Sequence, residues 1–200
     1  MGRALAGATR PMLVTSGLAK LAPGRLATEA DRPDAAFARK SEAAAETARQ
    51  RGARVATIRL SPSVHGVGET HGFVPYLIAL AQRTRVSAYI GDGTNRWAGV
   101  HRLDAARLYR LVLEEGVTEA AYHAVADEAV PFKDIAAVIG SVLRVPVEPR
   151  EREHFGRLAD FVAGDMAASS LRTRLLTGWT PDGPGLLADI AQPGYYDHAG

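Results

Sequence analysis

Short apolar runs alternate with longer amphipathic stretches along the first three quarters of the chain. The short runs are bounded by Gly, Pro and polar residues and predict β-strands at residues 11–17, 55–60, 87–90, 121–126 and 145–148. The longer stretches are rich in good helix formers and predict helices at residues 35–51, 73–84, 104–115 and 131–143. This alternation predicts an α/β fold with a mainly parallel sheet.

The pattern changes beyond about residue 127. A charged stretch at residues 150–166 and shorter ones at 169–176 and 186–190 predict a run of helices, which indicates a smaller, mostly helical lobe. Asp104 precedes its predicted helix and is expected to be the N-cap. A ligand would be expected in the cleft between sheet and lobe.

Composition excludes several classes of function. The chain has 200 residues, no Cys and a net charge of +2, so disulfides, thiolate metal sites and a Cys nucleophile are excluded. The cationic residues are not clustered, which argues against a nucleic-acid partner. The apolar run at residues 73–81 is too short to span a membrane, and the N-terminus lacks a signal-peptide pattern. We therefore expect a cytoplasmic protein without a metal site.

Four motifs, in order, carry a resemblance to a known family. They are V-T-S-G at residues 14–17, R-L-S-P-S-V-H-G at 59–66, G-D-G with V-H-R-L-D-A-A at 91–106, and G-W-T-P at 178–181. Together they resemble the NAD-dependent epimerase/dehydratase branch of the short-chain dehydrogenase/reductase superfamily, in an atypical form.

The resemblance implies a partial Rossmann-like α/β fold, with a small C-terminal mostly helical lobe. Residues 1–126 would be the C-terminal part of an NAD(P)-binding domain, with a substrate-loop insert at about 67–103. Residues 127–200 would form the substrate-binding lobe. The cofactor would be NAD or NADP, and the substrate a small carbonyl or sugar-like molecule.

Pieces of the family pattern are missing. The resemblance covers only the later two thirds of a family member, and the phosphate-binding motif G-x-x-G-x-x-G does not occur in these residues. Residues 66–72 (G-V-G-E-T-H-G) come close to G-x-G-x-x-G but place the last Gly one residue too far. A truncated, impaired protein is therefore expected, with its first strand at a poorly covered edge that favours homo-oligomers or aggregation.

The family's proton-transfer pair also fails to appear. The family uses Y-x-x-x-K on a helix, where a Lys one turn away lowers the pKa of the Tyr phenol. The best match places Phe37 at the Tyr and Ser41 at the Lys, and a one-residue shift recovers only Lys40. Phe37 cannot exchange a proton, so the usual mechanism is not expected.

Seven residues remain as candidates for the site. Ser16 matches the family's catalytic Ser/Thr, or simply bonds backbone at a strand end. His65 replaces a Tyr and could act as acid or base, or be a loop histidine bonded to backbone. Arg96 could bind a substrate phosphate or be a solvated charge, and Trp97 could wall a pocket or anchor the lobe. Positions that contact the nicotinamide in the family correspond to Pro62, Ser63 and Val64.

Two hypotheses of different classes follow. The first is an NAD(P)-dependent epimerase/dehydratase-like protein or oxidoreductase. The second is a non-catalytic binding or regulatory module on the same scaffold, which the Phe37 position favours.

Overall fold

A computed structural model describes residues 10–34 and 40–197. In chain order the strands are β1 (Met12–Gly17), β2 (Val55–Leu60), β3 (Ser63–His65), β4 (Ser87–Tyr89), β5 (Arg96–His101), β6 (Ala121–Ala124), β7 (Asp127–Pro131) and β8 (Val147–Pro149). The α-helices are α1 (Ser41–Gln50), α2 (Phe73–Thr84), α3 (Arg102–Glu115), α4 (Phe132–Leu143), α5 (Ala159–Val162), α6 (Leu171–Thr177) and α7 (Leu186–Ile190).

The first sheet is parallel and has the order β1-β2-β6. Because side chains alternate along β2, the two faces of the sheet pack against different helices. Val55 packs with the α1 alanines Ala45 and Ala48, whereas Ile58 on the opposite face packs with Leu108 and Val112 of α3. The predicted α/β fold with a mainly parallel sheet and flanking helices is confirmed.

A second sheet has the order β3-β5-β7, with β3 and β5 parallel and β7 antiparallel. Sequence analysis treated most of it as loop. β3 has only three residues, and β5 is interrupted by a register shift between Trp97 and Gly99, so neither shows a clear period of two. Backbone pairing, rather than the side-chain pattern, therefore defines this sheet.

A second hydrophobic core is built from separate parts of the chain. α2 and β4 contribute Ile78 and Ala88, and they pack with Ile139 of α4 and Ile190 of α7. The third sheet pairs β4 with β8 in parallel.

The helix predicted at residues 150–166 is wrong. The chain forms a 3₁₀ helix at Arg152–Leu158 and then the four-residue α5. Gly156 has a φ of 52°, in the left-handed region that breaks a right-handed helix. The charged side chains gave a helical composition but could not reveal this break.

Strand β1 lies at an edge, because among the described residues it pairs only with β2. Unpaired edges promote strand addition, and a Lys on an edge suppresses it. We expect the purified chain to self-associate and the exposed-site variant Thr15→Lys to shift it towards monomer in concentration-dependent light scattering. Thr47→Lys, on the exposed surface of α1, is the matched control and should behave like the wild type. A monomeric wild type at every concentration would contradict the prediction.

Candidate functional site

The carboxyl ends of the first sheet line up in register. Gly17 of β1 pairs with Leu60 of β2, which pairs with Ala124 of β6. The Ser61 hydroxyl donates to the Ala124 carbonyl at 2.7 Å and so ties two of these ends together. Ser16 lies one residue before the end of β1. Open parallel sheets bind ligands at this edge. A catalytic role for the Ser16 hydroxyl stays a prediction.

The loop after β2 turns inward. Pro62 and Ser63 are buried, and Val64 packs with the core of the first sheet. The Ser63 hydroxyl is buried without a hydrogen-bond partner in the protein. A buried hydroxyl in this state needs a water molecule or a ligand atom. It is therefore a polar group near this edge with an unused hydrogen bond.

His65 is completely buried. Its Nδ1 lies 2.7 Å from Asp189 Oδ2, and because a carboxylate only accepts, Nδ1 carries the proton. Nε2 is buried without a partner, 4.0 Å from Asp127 Oδ2. Burial lowers the pKa of His65, although Asp189 opposes the shift. The ring is neutral and closed off from solvent. It could act as an acid or base only after a rearrangement that exposes it, so that role stays a prediction.

Asp189 on α7 is the hub of this cluster. Besides His65, it accepts hydrogen bonds from the Tyr195 hydroxyl at 3.1 Å and from Gln192 Nε2 at 2.9 Å. The Tyr195 oxygen in turn accepts the Gly66 N–H. These bonds fasten the C-terminal segment to the end of β3. Sequence reasoning missed Asp189 and Tyr195, which lie more than 120 positions from His65 and follow no motif.

A second buried polar cluster lies on the α1 side of the first sheet. Arg59 donates to Glu42 through Nε at 3.0 Å and Nη2 at 2.7 Å, and through Nη1 to His123 Nε2 at 3.1 Å. His123 Nδ1 therefore carries the proton and donates to the Ser169 carbonyl at 2.8 Å. Burial lowers the pKa of His123 to about 4. The cluster joins α1, two strands and the segment before α6.

Arg96 and Trp97 have structural contacts. Arg96 makes a two-point ion pair with Asp165, with Nε–Oδ1 at 2.9 Å and Nη2–Oδ2 at 2.6 Å. Trp97 is fully buried and makes edge contacts with Phe73, Phe132 and Phe161. Trp97 thus packs within an aromatic cluster, whereas Arg96 keeps Nη1 outside the two-point pair with Asp165, so a phosphate contact by Arg96 stays a prediction.

Asp104 does not cap its own helix. α3 begins at Arg102 with His101 at the N-cap, so Asp104 lies inside the first turn. Its buried carboxylate accepts the N–H groups of Asp182 at 3.2 Å and Gly183 at 3.0 Å. The expected N-cap is therefore wrong, and Asp104 instead fixes the turn that follows the G-W-T-P motif.

The remaining expectations concern the positions of the family's Tyr and Lys, a metal site and a membrane span. Phe37 lies outside the described residues, and Ser41 is the first residue of α1. Within residues 10–34 and 40–197, no group of three or more acidic or His side chains could hold a metal ion. In the same ranges, no helix combines the length and apolar character of a membrane span.

Comparison with known proteins places the chain among relatives of similar sequence. It is 44% identical over 197 residues to the uncharacterized protein YLL056C of Saccharomyces cerevisiae, covering 95% of this chain and 66% of that one. It is 41% identical over 203 residues to the uncharacterized protein C2A9.02 of Schizosaccharomyces pombe, covering 98% and 68%. The chain belongs to the family of these yeast proteins. It spans about two thirds of their length, and no family model matches it.

Solved structures show the fold. MoeE5, described in complex with UDP-glucuronic acid and NAD, matches with a TM-score of 0.70 at 18% identity, covering 98% of this chain and 67% of that one. TunA, an NAD-dependent NDP-hexosamine 5,6-dehydratase of tunicamycin biosynthesis, matches with a TM-score of 0.73 at 16% identity and the same coverage. A Thermus thermophilus UDP-glucose 4-epimerase in complex with NAD matches at 0.65 and 18%, covering 95% and 64%. The chain therefore has a Rossmann-like fold similar to NAD-dependent epimerases and dehydratases.

Proposed function

We propose that this chain forms the substrate side and the nicotinamide-facing loop of an NAD(P)-dependent oxidoreductase or epimerase/dehydratase-like protein. The substrate would be a small carbonyl or sugar-like molecule. The observation that carries the proposal is the unused, buried hydroxyl of Ser63, the first residue of β3, which begins shortly after the carboxyl end of β2. It lies in the loop that the family resemblance assigns to nicotinamide contact.

The residues at this edge fit a nicotinamide. A nicotinamide supplies or accepts a hydride when bound, and its carboxamide needs hydrogen-bond partners. The Ser63 hydroxyl provides such a partner, and the buried Pro62 and half-buried Val64 give this segment an apolar character. Ser16 would hold a substrate carbonyl or hydroxyl. Arg96 and Trp97 would shape the substrate side of the lobe.

The glycine motif that binds a pyrophosphate does not occur in these 200 residues. We expect the nicotinamide half of the cofactor to carry most of the affinity for this chain. Reduced nicotinamide mononucleotide should then bind about as well as NADH, and AMP should bind much more weakly. Saturation-transfer NMR, which reports the ligand protons that contact the protein, would compare all three.

Ser63→Ala should weaken binding of reduced nicotinamide mononucleotide roughly fivefold, because one hydrogen bond contributes about 1 kcal/mol. Ser141→Ala, on the exposed surface of α4, is the matched control and should leave the affinity unchanged. Equal affinities for wild type and Ser63→Ala, or saturation confined to adenine protons, would reject the proposed site.

The second candidate is a non-catalytic binding module. The alignment of Phe37 and Ser41 with the family's Tyr and Lys favours it, because neither side chain can replace the missing proton transfer. Absorbance at 340 nm separates the two. An oxidoreductase consumes NADH with a small aldehyde or ketone, whereas a binding module binds NADH without oxidising it.

A further inference from the structure

The loop from Gly66 to Gly72 joins β3 to α2 and is here called the corner loop. Its backbone is closed by the Glu69 N–H, which donates to the Gly66 carbonyl at 3.0 Å. The Gly66 N–H donates to the Tyr195 hydroxyl. The corner loop is thus held at one end by the C-terminal segment.

The Glu69 side chain folds back beneath the corner loop. Its Oε1 fills the space that a side chain at Gly72 would need, since a Cβ built there would lie 1.8 Å from it. Its Oε2 is buried and has no hydrogen-bond partner. A charged carboxylate with an unpartnered buried oxygen is unfavourable, whereas a protonated carboxyl carries only the smaller penalty of a neutral group.

Counting protons shows why the Tyr195 hydroxyl gives a charged Glu69 only weak support. The Tyr195 hydroxyl has one proton, and it donates this proton to Asp189 Oδ2 at 3.1 Å. The neighbouring His65 Nδ1–H is also committed to Asp189. A charged Glu69 would have to compete with Asp189 for the phenol proton. A neutral Glu69 can instead donate its own proton to the Tyr195 oxygen.

Charged and titratable side chains on several neighbouring elements act on Glu69. Arg102 of α3 favours the charged form, while Asp189 of α7 disfavours it. Burial disfavours the charged form most strongly, and together with Asp189 it outweighs the Tyr195 hydroxyl and Arg102, so the pKa of Glu69 is raised to about 7. His65 of β3, with Asp127 and His101 beyond it, is neutral and held by Asp189.

We propose that the corner loop is a pH-sensitive latch, held against Tyr195 while Glu69 is neutral and released when Glu69 ionises. Release frees the Gly66 N–H and moves Glu69 into water, while β3 and α7 stay joined through His65 and Asp189. On the function proposed above, the latch would control the loop that follows the nicotinamide contact. The latch itself does not depend on that function.

The direction of the effect follows from the two pKa values of Glu69. The ordinary value is 4.5 when the loop is open, and the closed loop raises it to about 7. The closed loop binds the proton more tightly than the open loop. The closed loop is therefore most stable relative to the open loop below pH 4.5, and this stability declines as the pH rises to about 7. Above that pH the open fraction stays constant.

Amide hydrogen exchange of Gly66, measured by NMR and expressed as a protection factor, tests the latch without any ligand. In the wild type the protection factor should fall roughly tenfold per pH unit between about 5 and 7 and then level off. Glu69→Gln mimics the neutral carboxyl and should keep Gly66 protected across this range. The Ile78 amide within α2 should keep its protection, which separates local release from global unfolding.

Two further variants complete the design. Glu153→Gln, at an exposed position of the 3₁₀ helix, is the matched control and should repeat the wild-type pH profile. Tyr195→Phe removes the acceptor of the Gly66 N–H and should lower Gly66 protection at every pH. A Glu69→Gln profile parallel to that of the wild type, or a flat wild-type profile, would overturn the proposal.

Discussion

Asp189→Ala is expected to lower the free energy of unfolding by about 3–4 kcal/mol, because each buried donor left unsatisfied costs about 1–3 kcal/mol. Asp189 is almost completely buried and accepts from His65 Nδ1 at 2.7 Å and from the Tyr195 hydroxyl at 3.1 Å. Both donors are enclosed; no other acceptor for the His65 Nδ1–H is among its described contacts, whereas the Tyr195 hydroxyl could turn to Glu69. Urea unfolding at neutral pH, followed by Trp fluorescence, measures the loss.

Two variants test whether hydrogen bonding is the cause. Asp189→Asn keeps the shape, and its carbonyl oxygen can take the place of Oδ2 while the amide group faces the exposed Gln192. We therefore expect it to recover most of the stability. Asp160→Ala removes an exposed carboxylate that pairs with Arg152 and should change stability by less than about 1 kcal/mol. If Asp189→Ala is no more destabilising than Asp160→Ala, the cluster does not hold the C-terminal segment.

The sequence predicts the regular elements well because local pattern and burial agree there. Residues 55–60, 73–84 and 186–190 form β2, α2 and α7 with the predicted bounds. Each has side chains whose spacing matches the face that packs against a neighbour. The first sheet and its flanking helices were accessible from the sequence for the same reason.

The contacts around the candidate site were not predictable because they join distant parts of the chain. His65 was a candidate for its residue type, but its partner Asp189 lies 124 residues later in a short apolar helix. Arg59 belongs to the R-L-S-P-S-V-H-G motif, and nothing in the sequence marks Glu42 and His123 as its partners. Their pairing depends on strand order and helix placement, which a linear pattern does not contain.

The sequence also does not show which polar side chains face solvent or substrate and which make contacts within the fold. Arg96 was weighed as a substrate contact, and the structure gives it Asp165, 69 residues away, as a two-point partner. Asp104 has the residue type and position of an N-cap, yet β5 runs directly into α3 and moves the cap to His101. In both cases the partners of the side chain, Asp165 for Arg96 and the Asp182 and Gly183 N–H groups for Asp104, lie far away in sequence.

Arg59→Met should lower the free energy of unfolding by about 3 kcal/mol, since removing one member of a buried ion pair leaves an uncompensated charge. The Arg59 side chain is 4% exposed and that of Glu42 is 14% exposed. Replacing both Arg59 and Glu42 by Met also removes the unpaired carboxylate charge of Glu42. The double variant should therefore be more stable than the sum of the two single variants predicts, as measured in a double-mutant cycle by urea unfolding. Strict additivity would contradict this.

The single variant Arg59→Met should also change the pKa of His123. This change distinguishes an electrostatic role of Arg59 from a packing role. Burial lowers the pKa of His123 to about 4, and the Arg59 cation adds to this lowering. Because the unfolded chain binds the proton at a higher pH, the free energy of unfolding falls as the pH drops from about 6.5 towards 4. Arg59→Met removes the cation and leaves Glu42, which favours the charged imidazole, so the pKa of His123 should rise. NMR titration of the imidazole carbon-bound protons follows His123 directly, and an unchanged midpoint would show that Arg59 acts on this cluster by packing alone.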